Sequence, residues 1–329
     1  MDDEPTRADP PVVSLGMPVY NGERFVEPAI LSTLAQTLQC FELIICDNAS
    51  TDGTEQICRA LSASDPRVRY VRNEQNLGAH PNYNKTFSLA RGRYFKWVPH
   101  DDAMHPEYLE RCVARLEANP SWVLCQTDFE YIDESGATLV VEHSAVPGSD
   151  AADPVSRFTA LSLQPHTCYD VMGVFRQGML SRSMLLPSFH GSDRALLVQL
   201  ALMGPFGHIS EPLLRIRDHA DRYTRARTRP AERAQWHDTR HSSHFSFPCW
   251  RLYGTYWQTA LRADITGRQR LGLYLALGRW WFVSWNAARM VVDLLAGVAP
   301  GIVGWAEQLK QRLFSPAPGI DRVRKSSAS

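Results

Sequence analysis

At 329 residues, 44% hydrophobic and 21% charged, the chain has room for two ordinary domains or one large α/β domain with an appendage, and wholesale disorder is excluded. Its 35 Lys and Arg balance 35 Asp and Glu, so nothing advertises a nucleic-acid partner. The seven cysteines are scattered, odd in number and without a C-x-x-C pair; they indicate neither a zinc site nor a disulfide framework, and fit a reducing, cytoplasmic compartment.

The opening MDDEPTRADPP is acidic, proline-bearing and lacks an apolar stretch, so residues 1–10 are expected to form a disordered leader and not a signal peptide. Residues 12–17 (VVSLGM) read as a buried strand ending at Pro18, followed by the turn Tyr20-Asn21-Gly22 and a helix carrying Phe25, Val26, Ala29, Ile30 and Leu34 on one face. A second buried strand spans 41–46 (FELIIC). Asp52-Gly53-Thr54-Glu55 predicts a capping box, with Asp52 as the cap of the next helix. A short strand at 68–71 precedes a helix expected from Pro81 to Gly92. Residues 94–98 (YFKWV) form a fourth strand that runs straight into Pro99-His100-Asp101-Asp102. A helix from near Pro106 and a fifth strand at 122–127 follow. Periodicity weakens over 136–192 and returns as a helix at 194–203. An Arg- and His-rich, solvated stretch occupies 220–245, and the sequence from 250 onward is helical and aromatic. Strands alternating with helices predict a mostly parallel sheet covered on both faces, with ligands at the carboxyl ends of the strands. Tyr20, Asp47-Asn48 and Asp101-Asp102 all follow strand ends and so converge on one edge.

Two adjacent carboxylates on such a turn suit a hard divalent cation, which takes its other ligands from phosphates and water. An Asp or Asn projecting from the 47–54 turn can hydrogen-bond a nucleobase edge, and the Tyr20 ring can stack on one. Taken singly, each element has a second explanation: acids capping the helix near 106, a turn rich in turn-formers, and a packing tyrosine.

Together, MPVYNG (17–22), CDNASTDGT (46–54), NLGAHPNYN (76–84) and RGRYFKWVPHDD (91–102) closely resemble family 2 glycosyltransferases of the GT-A fold, in order and spacing. The resemblance implies a GT-A-like α/β domain over residues 11–225, a Rossmann-like, mostly parallel sheet flanked by helices. A helical region at 226–315 and a flexible tail at 316–329 would follow. It also implies transfer of a glycosyl group from a nucleoside diphosphate sugar to a hydroxyl of a glycan or lipid-linked acceptor, with inversion and with Mn²⁺ or Mg²⁺. Pro18 and Tyr20 would line the base pocket, with Asn21 beside them. Asp47 and Asn48 would contact the base and nucleoside, with Asn48 standing where many members have Asp. Asn76, Gly78 and Asn84 would line the nucleotide sugar, Asp101 would lie near the ribose, and Asp102 would coordinate the metal. Asp193, at the start of the 194–203 helix, is the best match to the family's catalytic carboxylate and is also a good helix cap; Glu211, Asp170 and Asp128 are its rivals. His219, in a stretch similar to the family's Y-R-x-H, would complete the metal shell, and Arg217 and Arg222 would neutralise diphosphate charge. A nucleotidyltransferase would need a Gly-rich loop after the first strand, which Met17 to Gly22 does not supply; a silent sugar-nucleotide-binding scaffold is opposed by the intact acids.

Residues 271–306 are crowded with Trp, and Arg279, Asn286 and Asp293 fall seven apart as one narrow polar stripe. Arg279 within 271–288 and the break at Pro300 argue against a spanning helix. Two readings stay open: a helix buried against the catalytic domain, or an interfacial helix contacting the inner membrane face.

Overall fold

The computed structural model describes residues 10–222, 235–239 and 247–298. The expected leader apart from Pro10, the tail at 316–329, most of the 220–245 stretch, residues 299–306 and the boundaries expected near 225 and 315 lie outside these residues.

Strands β1 (Val13–Val19) and β2 (Phe41–Asp47) are buried at every position, as uninterrupted apolar runs covered on both faces must be. They pair in parallel with each other, β1 also with β4 (Tyr94–Trp97), and β2 with β3 (Val68–Arg72). Helices α1 (Val26–Leu34), α2 (Thr54–Ser64) and α3 (Ala79–Ser88) make the crossovers. Beyond β4 the sheet is mixed. Strand β8 (Val174–Arg176) runs antiparallel between β4 and β6 (Leu124–Ile132). Strand β6 then pairs in parallel with β9 (Phe206–Arg217), which meets the short β5 (Ala103–Met104). The order is β3-β2-β1-β4-β8-β6-β9-β5, with β7 (Thr138–Glu142) off β6. The parallel arrangement therefore holds for the half that carries the strand-end motifs. The tight turn at 133–137 returns the chain from β6 to β7, and only an antiparallel pair permits so short a connection.

Helix α4 (Tyr108–Ala118) covers one face with α1, over a core of Leu15, Met17, Ile30, Leu109 and Leu116. On the other face α5 (Pro154–Leu163) and α7 (Ser192–Met203) share a core with the C-terminal helices α8 (Pro248–Arg262) and α9 (Gly267–Trp280). The short α6 (Gln177–Leu180) follows β8. Phe158, Leu197, Tyr256, Leu273, Leu277 and Trp280 are buried together there, each large apolar side chain contributing roughly 2 kcal/mol. The C-terminal helices are thus packed on the helices that cover the sheet.

Several local expectations change. No capping box forms at 52–55: the cap position is Gly53, Asp52 instead accepts from Thr54 N and Oγ1 and from Glu23 N, and Glu55 pairs with Arg59 and Arg72. Helix α3 starts at Ala79, with Pro81 its third residue. Gly191, at φ 92°, occupies the position before α7, so Asp193 lies inside the first turn and is not its cap. The complete capping box belongs to Thr266 and Gln269 of α9.

Candidate active site

The loops at the carboxyl ends of β1 and β2 are tied to each other. Asn21 N donates to Ser50 Oγ (2.9 Å), Thr51 N donates to Asn21 Oδ1 (2.9 Å), and Gly22 N donates to Thr54 Oγ1 (2.8 Å). A Cβ at Gly22 would meet His100 Cδ2 at 2.5 Å, so a larger residue in this turn would have to displace the His100 ring. Pro18 is buried within β1, and the Tyr20 ring beyond it is 42% exposed at the rim. That exposure leaves a face for stacking, which a packing tyrosine would not have.

Asp47 and Asn48 are both buried and already hydrogen-bonded. Asp47 accepts from Ser50 N (2.8 Å), Tyr70 Oη (2.6 Å) and Arg72 Nη1 (2.7 Å). Asn48 Nδ2 donates to Asn76 Oδ1 (2.9 Å) and Gly78 O (3.1 Å), and its Oδ1 accepts from Asn73 Nδ2 (2.9 Å) and Leu77 N (2.9 Å). All of this amide's ordinary positions are used. Asn73 also donates to Asn82 Oδ1 and accepts from Lys85 Nζ, and Asn82 reaches Cys46 O. This asparagine lattice fixes the loop from Asn76 to Gly78 against the end of β2. Gly78 has φ 87°, and a Cβ there would meet the Asp238 backbone at 2.6 Å. Asn84 is paired through its amide with both N and O of Leu186.

The acid pair sits where β4 ends. Asp102 Oδ1 accepts from Arg217 N (2.9 Å), and Asp101 Oδ2 faces His219 Nε2 at 2.9 Å. Burial pushes the Asp101 carboxyl upward, but His100 and His219 more than offset this and hold it below the ordinary range. Asp102 goes the other way: burial first, and then the charge of Asp101, raise it well above an ordinary Asp. Arg222, Arg217 N–H and Lys96 resist that rise in part. Two like charges this close and this buried cannot both ionise cheaply, which is the condition a divalent cation relieves. Arg217 is committed elsewhere, donating to the carbonyls of Asp101, Asp133 and Glu134. Arg222, whose charge acts on Asp102, lies against two tyrosines, donating to Tyr169 Oη with its guanidinium 5.4 Å from the Tyr131 ring centroid. His219 is buried beside Phe25, and its Nδ1 has no partner among the described residues.

Asp193 is linked to helix α3 through its neighbour Ser192. Ser192 Oγ lies 3.5 Å from His80, in the first turn of α3, and α3 begins just after the Asn76–Gly78 loop. His80 in turn contacts Pro187 O and His237 Nδ1 (3.0 Å); burial depresses its pKa to about 4, so it is neutral. Asp193 is half-buried at this junction and accepts from Arg194 N (2.8 Å). The rivals are less available. Asp128 is buried between His143 and His208, and Glu211 is forked onto Arg111. Asp170 is buried, and burial raises it to about 7.

Sequence reasoning missed Asn73, Asn82, Tyr70, Arg72 and His80. The recurrence of Asn at 73, 76, 82 and 84 was a usable signal for the lattice; nothing local marked His80, whose partner His237 lies 157 residues away.

Residues 14–181, just over half the chain, match the model for glycosyl transferase family 2. Among curated relatives, the putative glycosyltransferase EpsE of Bacillus subtilis is 36% identical over 127 residues, covering 38% of this chain and 46% of that protein. Chondroitin synthase of Escherichia coli is 32% identical over 126 residues, covering 38% of this chain and 18% of that protein. The chain thus spans less than half the length of either. Among solved structures, S. aureus TarS 1-349 in complex with UDP-GlcNAc aligns with a TM-score of 0.58 at 18% identity, over 82% of this chain and 72% of that one. The mannosyltransferase PcManGT from Pyrobaculum calidifontis, in complex with GDP-Man and Mn²⁺, aligns at 0.54 and 17% identity, over 97% and 84%. These likenesses establish the fold. The match to the family model, covering every strand-end loop described above, establishes membership: the chain belongs to glycosyl transferase family 2.

Proposed function

We propose that the chain moves a sugar from a nucleoside diphosphate sugar to an acceptor hydroxyl, with inversion at the anomeric carbon and with Mn²⁺ or Mg²⁺ bound at Asp102. The observation that carries this reading is the meeting of Tyr20, the Asp101-Asp102 pair, His219 and Arg222 on the carboxyl edge of the parallel strands. The donor set suits a hard cation: carboxylate oxygens, and one buried imidazole nitrogen of His219 that has no partner among the described residues. Among the described residues no three acidic, His or Cys side chains form a ready-made cage, so diphosphate oxygens and water would supply most of the shell. The bound cation would act as a Lewis acid for the departing diphosphate. PcManGT with GDP-Man and Mn²⁺, and TarS with UDP-GlcNAc, support both the donor class and the metal.

In this mechanism Tyr20 stacks on the base, and Arg222 offers positive charge to the diphosphate. Asp193 accepts the acceptor's hydroxyl proton while that oxygen bonds to the anomeric carbon and the bond from that carbon to the diphosphate breaks. Asp102, bound to the metal, is not free to be the base. The acceptor is a glycan or lipid-linked hydroxyl of cell-surface glycan synthesis, met at the cytoplasmic face of the membrane. The test is to incubate purified full chain with UDP-, dTDP- and GDP-sugars, with and without Mn²⁺, and follow nucleoside diphosphate release. Release from one donor only, abolished by EDTA, is expected. No metal-dependent release or binding with any donor would overturn the reading.

A further inference from the structure

Helix α10 (Asn286–Val298) is built inside out. Two of the three polar residues of the expected stripe, Asn286 and Asp293, lie on this helix and face inward, whereas Arg279 is exposed on α9: Asn286 Nδ2 donates to Trp280 O (2.8 Å), and Asp293 Oδ2 accepts from Cys249 N (2.7 Å). Met290 and Ala296 are buried beside them, and Trp250 Nε1 caps Met290 O. What this helix turns to solvent is apolar: Val291, Leu294 and Leu295 are each about half exposed. The preceding turn adds Phe282 (89% exposed) and Trp285 (69%), and the outer face of α9 adds Leu271 and Leu275. A helix folded for water alone would present the opposite face.

The charge around this surface is equally one-sided. Along α9, Arg268, Leu271, Leu275 and Arg279 follow one another at helical spacing, so exposed guanidiniums border the apolar stripe. Residues 248–298 contain six Arg and no Lys, against Asp264 and the buried Asp293. Residues 299–329 continue the bias with five Arg and Lys against two acids. A chain of zero net charge is therefore polarised, its acidic excess lying before residue 248. Charge asymmetry of this kind, beside exposed aromatic and aliphatic side chains, fits an anionic lipid surface better than a second copy of the same basic face. Among the described residues no helix is long and apolar enough to cross a membrane, so the contact lies in the plane of the interface.

We propose that helices α9 and α10 with the turn between them dock the enzyme onto anionic bilayers, with Phe282, Leu294 and Leu295 entering the interface and Arg279 and Arg289 meeting the headgroups. This deepens the reading above by naming the surface that would hold the active site over a lipid-linked acceptor. The test is flotation of the full chain with vesicles of phosphatidylcholine alone or with about a third phosphatidylglycerol. Binding only to the anionic vesicles, weakened by salt, is expected. Phe282→Ser with Leu294→Ser should lower the partition coefficient about tenfold, because those side chains would supply the buried apolar area. Arg279→Gln with Arg289→Gln should lower it without altering any apolar residue. Nucleotide release and melting temperature, read on the same preparations, should stay at wild-type levels in both variants. An error in the enzymatic reading would thus show in release while leaving the vesicle result standing. Equal binding to neutral vesicles, or binding unaffected by both pairs, overturns the proposal. So does a dimer in sedimentation that Phe282→Ser with Leu294→Ser converts to monomer while vesicle binding persists.

Discussion

Asn48 stands where many members of the family have Asp, and the asparagine lattice explains why Asp would be poorly tolerated in this chain. In Asn48→Asp the two donations from Nδ2, to Asn76 Oδ1 at 2.9 Å and Gly78 O at 3.1 Å, become contacts between acceptors in a buried site. Asn76 cannot relieve this by flipping its amide, because its Oδ1 also accepts from Gly78 N (2.8 Å). The Gly78 carbonyl belongs to the backbone and cannot turn without moving the loop. Two lost hydrogen bonds, each replaced by a contact between oxygens in a buried site, should cost about 2–4 kcal/mol at pH 7. Protonating the new carboxyl would restore one donor. Its folded-state pKa would thus be raised above the unfolded value, and the deficit should shrink as pH falls toward 5 and widen again as pH rises. Urea denaturation at pH 5 and 7 measures this, and calorimetry with the preferred donor reports the effect on the Asn76–Gly78 loop. A difference from wild type below about 1 kcal/mol at pH 7, with unchanged donor affinity, would refute the claim that the lattice holds the loop.

Asp102→Asn should reduce donor affinity to the level of wild type in EDTA with little change in melting temperature, since Asn keeps an oxygen for Arg217 N; calorimetry with and without Mn²⁺ checks it. Asp193→Asn should abolish transfer while leaving donor and metal binding near wild type, and because the residue is inside the first turn of α7 and not its cap, stability should change by less than about 1 kcal/mol. Asp170→Asn tests the buried acid. Burial raises Asp170 to about 7, so the protonated form's contribution to stability is complete below about pH 4 and is lost as pH rises through 7. The variant should therefore match wild type near pH 4 and exceed it at pH 8 by on the order of a few kcal/mol, measured by urea titration at both values.

Strand and helix alternation over 12–127 was legible because parallel strands buried on both faces must be continuous apolar runs, and the connecting helices carry their own periodicity. The same logic fails where an element's environment is not set by its own sequence. Strand β8 has three residues and β5 two, and they are strands only because β4, β6 and β9 offer unpaired edges beside them. For the site, the sequence located the loops but not the orientation of the side chains in them. Asp47 and Asn48 lie at the predicted strand end, yet their hydrogen-bonding capacity is spent on Arg72, Tyr70, Asn73 and Asn76. Which partners saturate a polar side chain depends on elements far off in the chain, and no local pattern encodes that.

The C-terminal stripe makes the same point with a sign reversed. A periodicity of seven paired Asn286 with Asp293 on one face of α10, but Arg279, the third member of the expected stripe, is exposed on the separate helix α9; Asn286 and Asp293 face inward because they found a backbone carbonyl and a backbone amide to satisfy there. Buried polar groups are tolerated when paired, so amphipathicity fixes the axis of a helix but not which end of that axis meets water. Deciding the end requires the packing partner, here α8 with Cys249 and Trp250. It is the resolved direction of that axis, and not the presence of tryptophan alone, that turns an aromatic C-terminal stretch into a surface with a partner to be tested.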